Sequence, residues 1–245
     1  MSGSSAPDSR EEALGLGPSP ELANPAVVVS AMAAGALEAA RAPTLTLTRS
    51  EGLAKRALDL VSAGLGLLLL SPFAVLIALA IRIDSKGPAL FRQMRIGRDG
   101  APFMMVKFRT MVNGAHEQRS ALAALNETSG VFKLRHDPRV TRVGRVLRRS
   151  ALDELPQLIN VLLGLMSLVG PRPLVPEEDR LIVGHHRQRL SLRPGLTGPW
   201  QAQWPRLPLS DMVELDCSYV TNWSLWLDLK IIATTLLQVA RLRGF

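Results

Sequence analysis

Asp153 and Glu154 are adjacent carboxylates, preceded by Arg142, Arg145, Arg148 and Arg149 and followed by an apolar run. A carboxylate at a helix start is stabilised by the helix dipole by ~0.3–1 kcal/mol. Nearby arginines favour its ionised form, which a nucleophile requires. The same helix start offers N–H donors to a phosphate. Two acids opening a helix are also common on plain surfaces, so the surroundings carry the weight of this reading.

Further cations have the right type for phosphate chemistry. In Gly170-Pro171-Arg172-Pro173, Pro171 and Pro173 fix the backbone around Arg172 and hold its guanidinium in one direction. A rigid arginine fork suits bidentate phosphate binding. Lys107 and Arg109 close a predicted strand with two more positive charges; a merely charged strand end is the alternative. His185 and His186 are adjacent and point different ways, with no partner at zinc-ligand spacing. Magnesium fits better, because it needs only one or two carboxylates plus substrate phosphates.

These residues need elements to hold them. Leu60 to Ile81 is a run of 22 residues without a formal charge, with Lys55 and Arg56 before it and Arg82 and Lys86 after it. As a helix it would extend roughly 33 Å, enough to cross a bilayer core. Pro72 removes a backbone donor near its middle, so a kink is expected at Ser71-Pro72. Basic residues on both flanks leave two arrangements open: an ordinary kinked span, or a sharp bend that returns both ends to one face. Phe91–Ile96 and Pro102–Phe108, joined by Gly97-Arg98-Asp99-Gly100, read as a β-hairpin. Helices are expected over Asn113–Leu125, from Ser150, as its cap, to about Leu168, and over Glu177–Leu190. The stretch Trp223–Arg243 suits a helix at the membrane boundary or one packed on the domain.

Composition narrows the class of ligand. Between Arg82 and Arg149 there are 15 Lys and Arg against 5 Asp and Glu, an excess of ten that attracts polyanions. Aromatic residues are only 4% and form no stacking run, which disfavours nucleic acid. A single cysteine, Cys217, excludes an internal disulfide. Residues 1–50 are rich in Ser, Pro, Gly and Ala and read as a disordered tail, with a short helix at Val27–Ala40. No signal-peptide pattern is present, which places the tail on the cytoplasmic side. The organisation expected is therefore a tail (1–50), a membrane helix (51–84) and a catalytic domain (85–245).

From Lys55 onward the chain resembles the bacterial sugar transferases, the monotopic phosphoglycosyl transferases. The segments that carry the likeness are Lys55-Arg56-Ala57-Leu58-Asp59, Ser71-Pro72, Asp84-Ser85-Lys86-Gly87-Pro88, Lys107-Phe108-Arg109-Thr110-Met111 and Leu152-Asp153-Glu154-Leu155-Pro156. Met166-Ser167-Leu168-Val169-Gly170-Pro171-Arg172-Pro173, Arg193-Pro194-Gly195-Leu196-Thr197-Gly198 and Asn222-Trp223-Ser224-Leu225-Trp226-Leu227-Asp228 complete the set, all in family order.

The resemblance implies an α+β, mainly helical fold: a re-entrant helix-break-helix at Ser71-Pro72, and a small domain with interfacial helices on the cytoplasmic face of the bacterial inner membrane. It implies an Asp153-Glu154 catalytic pair with Mg2+ on Asp153, phosphate held by Arg148 and Arg172, and Asp228 as support. The implied reaction moves a sugar-1-phosphate from a UDP-sugar to polyprenyl phosphate through a phospho-aspartate, starting an exopolysaccharide, capsule or O-antigen glycan. Leu165 stands where the family usually has an acidic residue, which puts metal support in question. The competing readings are an inactive, membrane-anchored scaffold of the same family and a tethered nucleic-acid binder. An oligomer is compatible with all of these.

Overall fold

The computed structural model describes residues 47–115, 117–119, 122, 134, 137–203 and 208–240. The expected tail (apart from residues 47–50), its Val27–Ala40 helix and most of the Asn113–Leu125 helix lie outside the described residues.

Helix α1 runs from Arg49 to Asp84. Thr48 caps it, its hydroxyl accepting from the Glu51 N–H while Glu51 accepts from the Thr48 N–H. The expected break at Ser71-Pro72 does not interrupt the helix. Pro72 cannot donate to the Leu68 carbonyl four residues back, and the Ser71 hydroxyl donates to that carbonyl instead at 3.1 Å. A serine beside a proline thereby restores an acceptor that would otherwise be costly in an apolar environment. The apolar flank is long: Leu65, Leu68, Leu69, Phe73, Val75, Leu76 and Leu79 are all exposed. Within this apolar stretch α1 is long and apolar enough to cross a membrane.

The opposite face of α1 packs on the domain along almost its whole length. Ala63 and Leu67 join Phe103, Met105, Leu158, Val161 and Met166 in one core cluster. Ala74, Ala78 and Ile81 join Phe108, Leu147 and Leu155 in another. Polar contacts then grip each end. Before the apolar stretch, Lys55 Nζ donates to Asp228 at 2.6 Å and to the Val169 carbonyl at 2.9 Å. Arg56 donates to the Val161 and Leu162 carbonyls. After the stretch, Asp84 accepts from the Val143 N–H, and Arg109 reaches the Ser85 and Lys86 carbonyls.

The hairpin forms as expected, with β1 (Leu90–Ile96) antiparallel to β2 (Pro102–Phe108). Asp99 and Gly100 take positive φ at its tip, which suits an Asp-Gly turn. Helix α2 spans Arg142–Arg149, capped by Thr141. The expected Ser150–Leu168 helix is corrected to three pieces: a 3-10 turn at Leu152–Glu154, α3 at Gln157–Leu162, and β3 at Ser167–Val169. Ser150 does not cap it, because its hydroxyl donates back to Val146 and Leu147 and closes α2. The Asn160 side chain bonds the Val106 N–H and the Met104 carbonyl of β2, and its backbone carbonyl accepts from the Leu165 and Met166 N–H groups as the helix ends. Gly164, at φ +78, turns the chain back.

Glu177–Leu190 is likewise not one helix. It divides into α4 (Pro176–Asp179) and a 3-10 stretch at Gly184–Ser191, which Gly184 opens at φ +62. Strand β4 (Gly195–Thr197) pairs in parallel with β3, a pairing periodicity did not suggest. The strands sit so close that a Cβ on Gly195 would overlap the Gly170 amide. Helices α5 (Pro199–Gln203), α6 (Leu209–Thr221) and α7 (Leu225–Ala240) complete the described fold. On α7, Asp228 and Ile231 are buried while Trp226, Leu229, Leu236 and Leu237 are exposed, so the helix packs on the domain by one face and leaves an apolar face outward.

Lys55→Met is expected to lower stability by ~3–5 kcal/mol, since it leaves Asp228 charged and buried without its cation. Thermal unfolding in detergent checks this, and Lys55→Met with Asp228→Leu is expected to recover part of the loss.

Candidate active site

The carboxylate pair sits on the 3-10 turn between α2 and α3, not in the first turn of a regular helix. The turn is entered through Ala151 in the left-handed region, at φ 54 and ψ 15. A non-glycine residue there stores local strain, a feature that clusters at functional sites. Asp153 is buried, and Glu154 is partly buried.

The two carboxylates share one electrostatic neighbourhood with Lys107 at the end of β2 and Arg148 at the end of α2. Burial raises the Asp153 carboxyl above the ordinary range, opposed by Lys107 and Arg148. Burial also raises Glu154, to about 7, with the Asp153 charge adding to the effect and Lys107 and Arg172 opposing it. Burial lowers Lys107 to about 8, against the pull of Asp153. Among the described residues no ion pair within 4 Å closes on either carboxylate. The charges are neighbours, yet both carboxylates remain uncommitted. At neutral pH Glu154 stands near its midpoint, a condition that suits proton transfer.

Arg148 is held by a hydrogen bond from Nε to the Thr110 hydroxyl at 2.9 Å. Arg172 is held through its backbone. Its N–H donates to Asp216 at 3.0 Å, and its carbonyl accepts from Arg189. Arg189 and Asp216 are themselves a buried ion pair at 2.9 Å. Burial lifts Asp216 to about 6, and Arg189 opposes the rise. The prolines on either side are pinned too: the Pro171 carbonyl accepts from the Gly195 N–H and the Pro173 carbonyl from Arg95. The Arg172 guanidinium lies 4.1 Å from the centroid of the Trp200 ring, and its buried Nε has no protein partner. A stacked, backbone-fixed fork with an unused donor is well suited to an anionic ligand.

Not every cation expected at the site converges on it. Arg109 is buried, and its guanidinium reaches the Ser85 and Lys86 carbonyls, so it ties the end of α1 to β2. Asp228 lies in a separate cluster with Lys55, Tyr219 and Trp223. Its connection to the site is indirect: Lys55 in that cluster donates to the Val169 carbonyl, just ahead of Gly170-Pro171-Arg172. Leu165 is exposed beside Leu163 at the far end of α3. Asp216, Arg189, Thr110 and Trp200 were missed from sequence; the only signal for Asp216 is an acid on the apolar face of α6.

A largely apolar groove of about 280 Å³ opens between α1 and the start of α3. Leu67, Ser71, Ala74, Leu155, Pro156 and Ile159 are among its walls. Leu155 and Pro156, which directly follow Asp153 and Glu154 in the chain, are thus walls of this groove. Among the described residues no three His, Cys, Asp or Glu side chains cluster as a protein-only metal cage. Two adjacent carboxylates do fit magnesium, which completes its shell with phosphate and water oxygens.

Because the folded Glu154 keeps its proton up to about pH 7 while an ordinary glutamate has lost it near 4.5, stability falls as pH rises through this window. Glu154→Gln is permanently neutral. Its thermal midpoint is expected to gain on wild type between pH 4.5 and 7 and to hold that gain above 7, as a midpoint series in detergent checks.

The sequence pattern of the family described as "Bacterial sugar transferase" matches residues 50–242. The exopolysaccharide production protein ExoY of Rhizobium meliloti (strain 1021) is 41% identical over 199 residues, covering 79% of this chain and 88% of that protein. The UDP-glucose:undecaprenyl-phosphate glucose-1-phosphate transferase of Caulobacter vibrioides is 46% identical over 193 residues, 75% of this chain and 68% of that protein. The galactosyl transferase CpsE of Streptococcus agalactiae is 42% identical over 187 residues, 75% of this chain. The match takes in 41% of that streptococcal protein, less than half its length. With most of its length aligned in this way, the chain belongs to the bacterial sugar transferase family.

Proposed function

We propose that this protein is a phosphoglycosyl transferase that moves a sugar-1-phosphate from a UDP-sugar to undecaprenyl or a related polyprenyl phosphate, at the start of exopolysaccharide-type synthesis. The observation that carries the reading is a cation-flanked carboxylate pair without ion-pair partners, followed directly in the chain by two residues that line an apolar groove. A soluble nucleotide and a lipid must both reach such a reacting centre.

In the first step an Asp153 carboxylate oxygen attacks the β-phosphorus of the UDP-sugar. The bond from that phosphorus to the bridging oxygen breaks, and UMP leaves with the electron pair. In the second step a phosphate oxygen of the polyprenyl phosphate attacks the same phosphorus and the aspartyl O–P bond breaks. Lys107, Arg148 and Arg172 oppose the charge that builds on the transferring group, the main protein contribution in phosphoryl chemistry. Glu154, near its midpoint at neutral pH, can hold or release a proton beside the attacking group. Magnesium, held by Asp153 together with substrate phosphates, would supply further charge neutralisation. The isoprenoid chain lies in the groove between α1 and α3. Glucose is the first donor to test, because the Caulobacter relative is named for it, with galactose second.

The membrane arrangement we infer is re-entrant. The polar contacts of Lys55, Arg56, Asp84 and Arg109 tie both ends of α1 to one basic domain. A helix crossing the bilayer would draw that domain into hydrocarbon or break one set of contacts. Both ends therefore face the cytoplasm, with the exposed middle of α1 in one leaflet.

Purified protein in detergent with magnesium, short polyprenyl phosphate and UDP-glucose is expected to release UMP. Asp153→Asn is expected to reduce release by roughly 10³-fold or more. Full turnover by that variant would overturn the mechanism, and membrane binding without UMP release from any UDP-sugar would favour the scaffold reading. For topology, Ser50→Cys and Leu90→Cys are both expected to label from the cytoplasmic side; labelling of either from outside establishes a span.

A further inference from the structure

A cavity of about 390 Å³ lies beside the first turns of α1, and none of the groups assigned above to the reaction lines it. Its walls come from Arg49, Gly52, Lys55 and Asp59 of α1, the hairpin tip at Arg98 and Asp99, Ser167 of β3, and Ser191-Leu192-Arg193. Two of its cations already have counter-ions: Lys55 pairs with Asp228, and Arg98 with Asp99. Arg193 is half-buried and, among the described residues, its guanidinium has no hydrogen-bonded or ion-paired partner. Arg49 stands at the cavity's outer edge.

The cavity also holds an unanswered acceptor. Asp59 is 1% exposed. Its Oδ1 accepts from the Ser167 hydroxyl and the Leu168 N–H, both at 2.9 Å, but its Oδ2 has no partner. A buried carboxylate oxygen without a donor is rare enough to require an explanation. Here a guanidinium without a hydrogen-bonded partner and a carboxylate oxygen without a donor line one cavity, near enough to attract each other without closing an ion pair. The ligand they complement carries an anionic group and, a short distance away, a hydrogen-bond donor of positive charge.

We propose that this cavity binds the phosphoethanolamine headgroup of a bilayer lipid, its phosphate on Arg193 and Arg49 and its ammonium toward Asp59 Oδ2. The position favours a lipid over a soluble zwitterion. Asp59 is followed at once by the apolar stretch of α1, and Leu53 and Val61 on the same helix are exposed. In the inferred re-entrant arrangement, on which this placement rests, the cavity opens at headgroup level. A trimethylated choline has no N–H to offer Asp59, and a glycerol headgroup has no positive charge, so the site distinguishes among phospholipids. A lipid held there would pack between α1, the hairpin tip and the strand that leads to Arg172.

The test is lipid retention, read without any turnover. The full chain is placed in nanodiscs of equal parts phosphatidylethanolamine, phosphatidylcholine and phosphatidylglycerol, released into detergent, and examined by native mass spectrometry. One phosphatidylethanolamine is expected to remain per chain, in preference to the other two lipids. Arg193→Gln is expected to abolish retention. Asp59→Asn keeps the Oδ1 acceptor for Ser167 and Leu168 and is expected to reduce phosphatidylethanolamine to the level of phosphatidylcholine, with the unfolding midpoint confirming that the variant is folded. Equal retention of all three lipids, or retention indifferent to both variants, overturns the proposal. So does an absence of bound lipid combined with Arg193-dependent binding of inorganic phosphate in calorimetry, which would make this a soluble-anion site; binding of neither overturns it as well. Flotation of the same variants with vesicles shows separately whether the membrane reading holds.

Discussion

The buried contact between Lys55 and Asp228 is the constraint on which the arrangement depends. It joins residues 173 positions apart at 2.6 Å. The same ammonium reaches the Val169 carbonyl and the Tyr219 hydroxyl, and so links α1, β3, α6 and α7. Burying an ion pair is costly, and its net contribution to stability is small unless its remaining donors and acceptors are satisfied. Here they are: Asp228 also accepts from Tyr219 at 2.6 Å and from Trp223 at 3.3 Å. This pair decides where the apolar helix lies against the polar domain. It also anchors the strand from which Gly170-Pro171-Arg172 departs.

A second ion pair continues this role closer to the chemistry. Arg189 and Asp216 are both almost wholly buried, and they hold Arg172 from its carbonyl and its amide respectively. The backbone that carries the arginine is therefore ordered in folding and not on meeting a ligand, which is how preorganised sites strengthen binding. The carboxylate pair is arranged differently. It stands on a short turn entered through a left-handed alanine and is left without ion-pair partners, so its perturbed proton affinities come mainly from burial. One side of the site is committed and rigid, and the other is kept available.

Sequence reasoning went furthest where the physics is local. The hairpin was legible because Asp99-Gly100 favours positive φ between two extended runs. The apolar helix was legible from its uncharged length, and the Asp153-Glu154 pair from its flanking arginines. The long helix expected after Ser150 failed for a non-local reason: the chain turns at Gly164, and Ser167–Val169 pairs with the distant strand Gly195–Thr197 instead of continuing the helix. At Pro72 the helix runs on without interruption, and the Ser71 hydroxyl donates to the Leu68 carbonyl that the proline leaves without its helical donor.

By itself, the sequence determined which groups were available: two adjacent acids, a rigid Arg172, a cationic stretch and one apolar helix. Only the tertiary structure decided how they are used. Arg109 and Arg148 have the same side chain and both lie near the end of β2, yet one holds the end of α1 and the other remains beside Asp153. Asp59 and Asp228 differ in the same way, one with an unpaired oxygen and the other fully engaged. No pattern along the chain separates such cases. Burial and partner choice arise from contacts between segments far apart in sequence, and these exist only once the chain has packed.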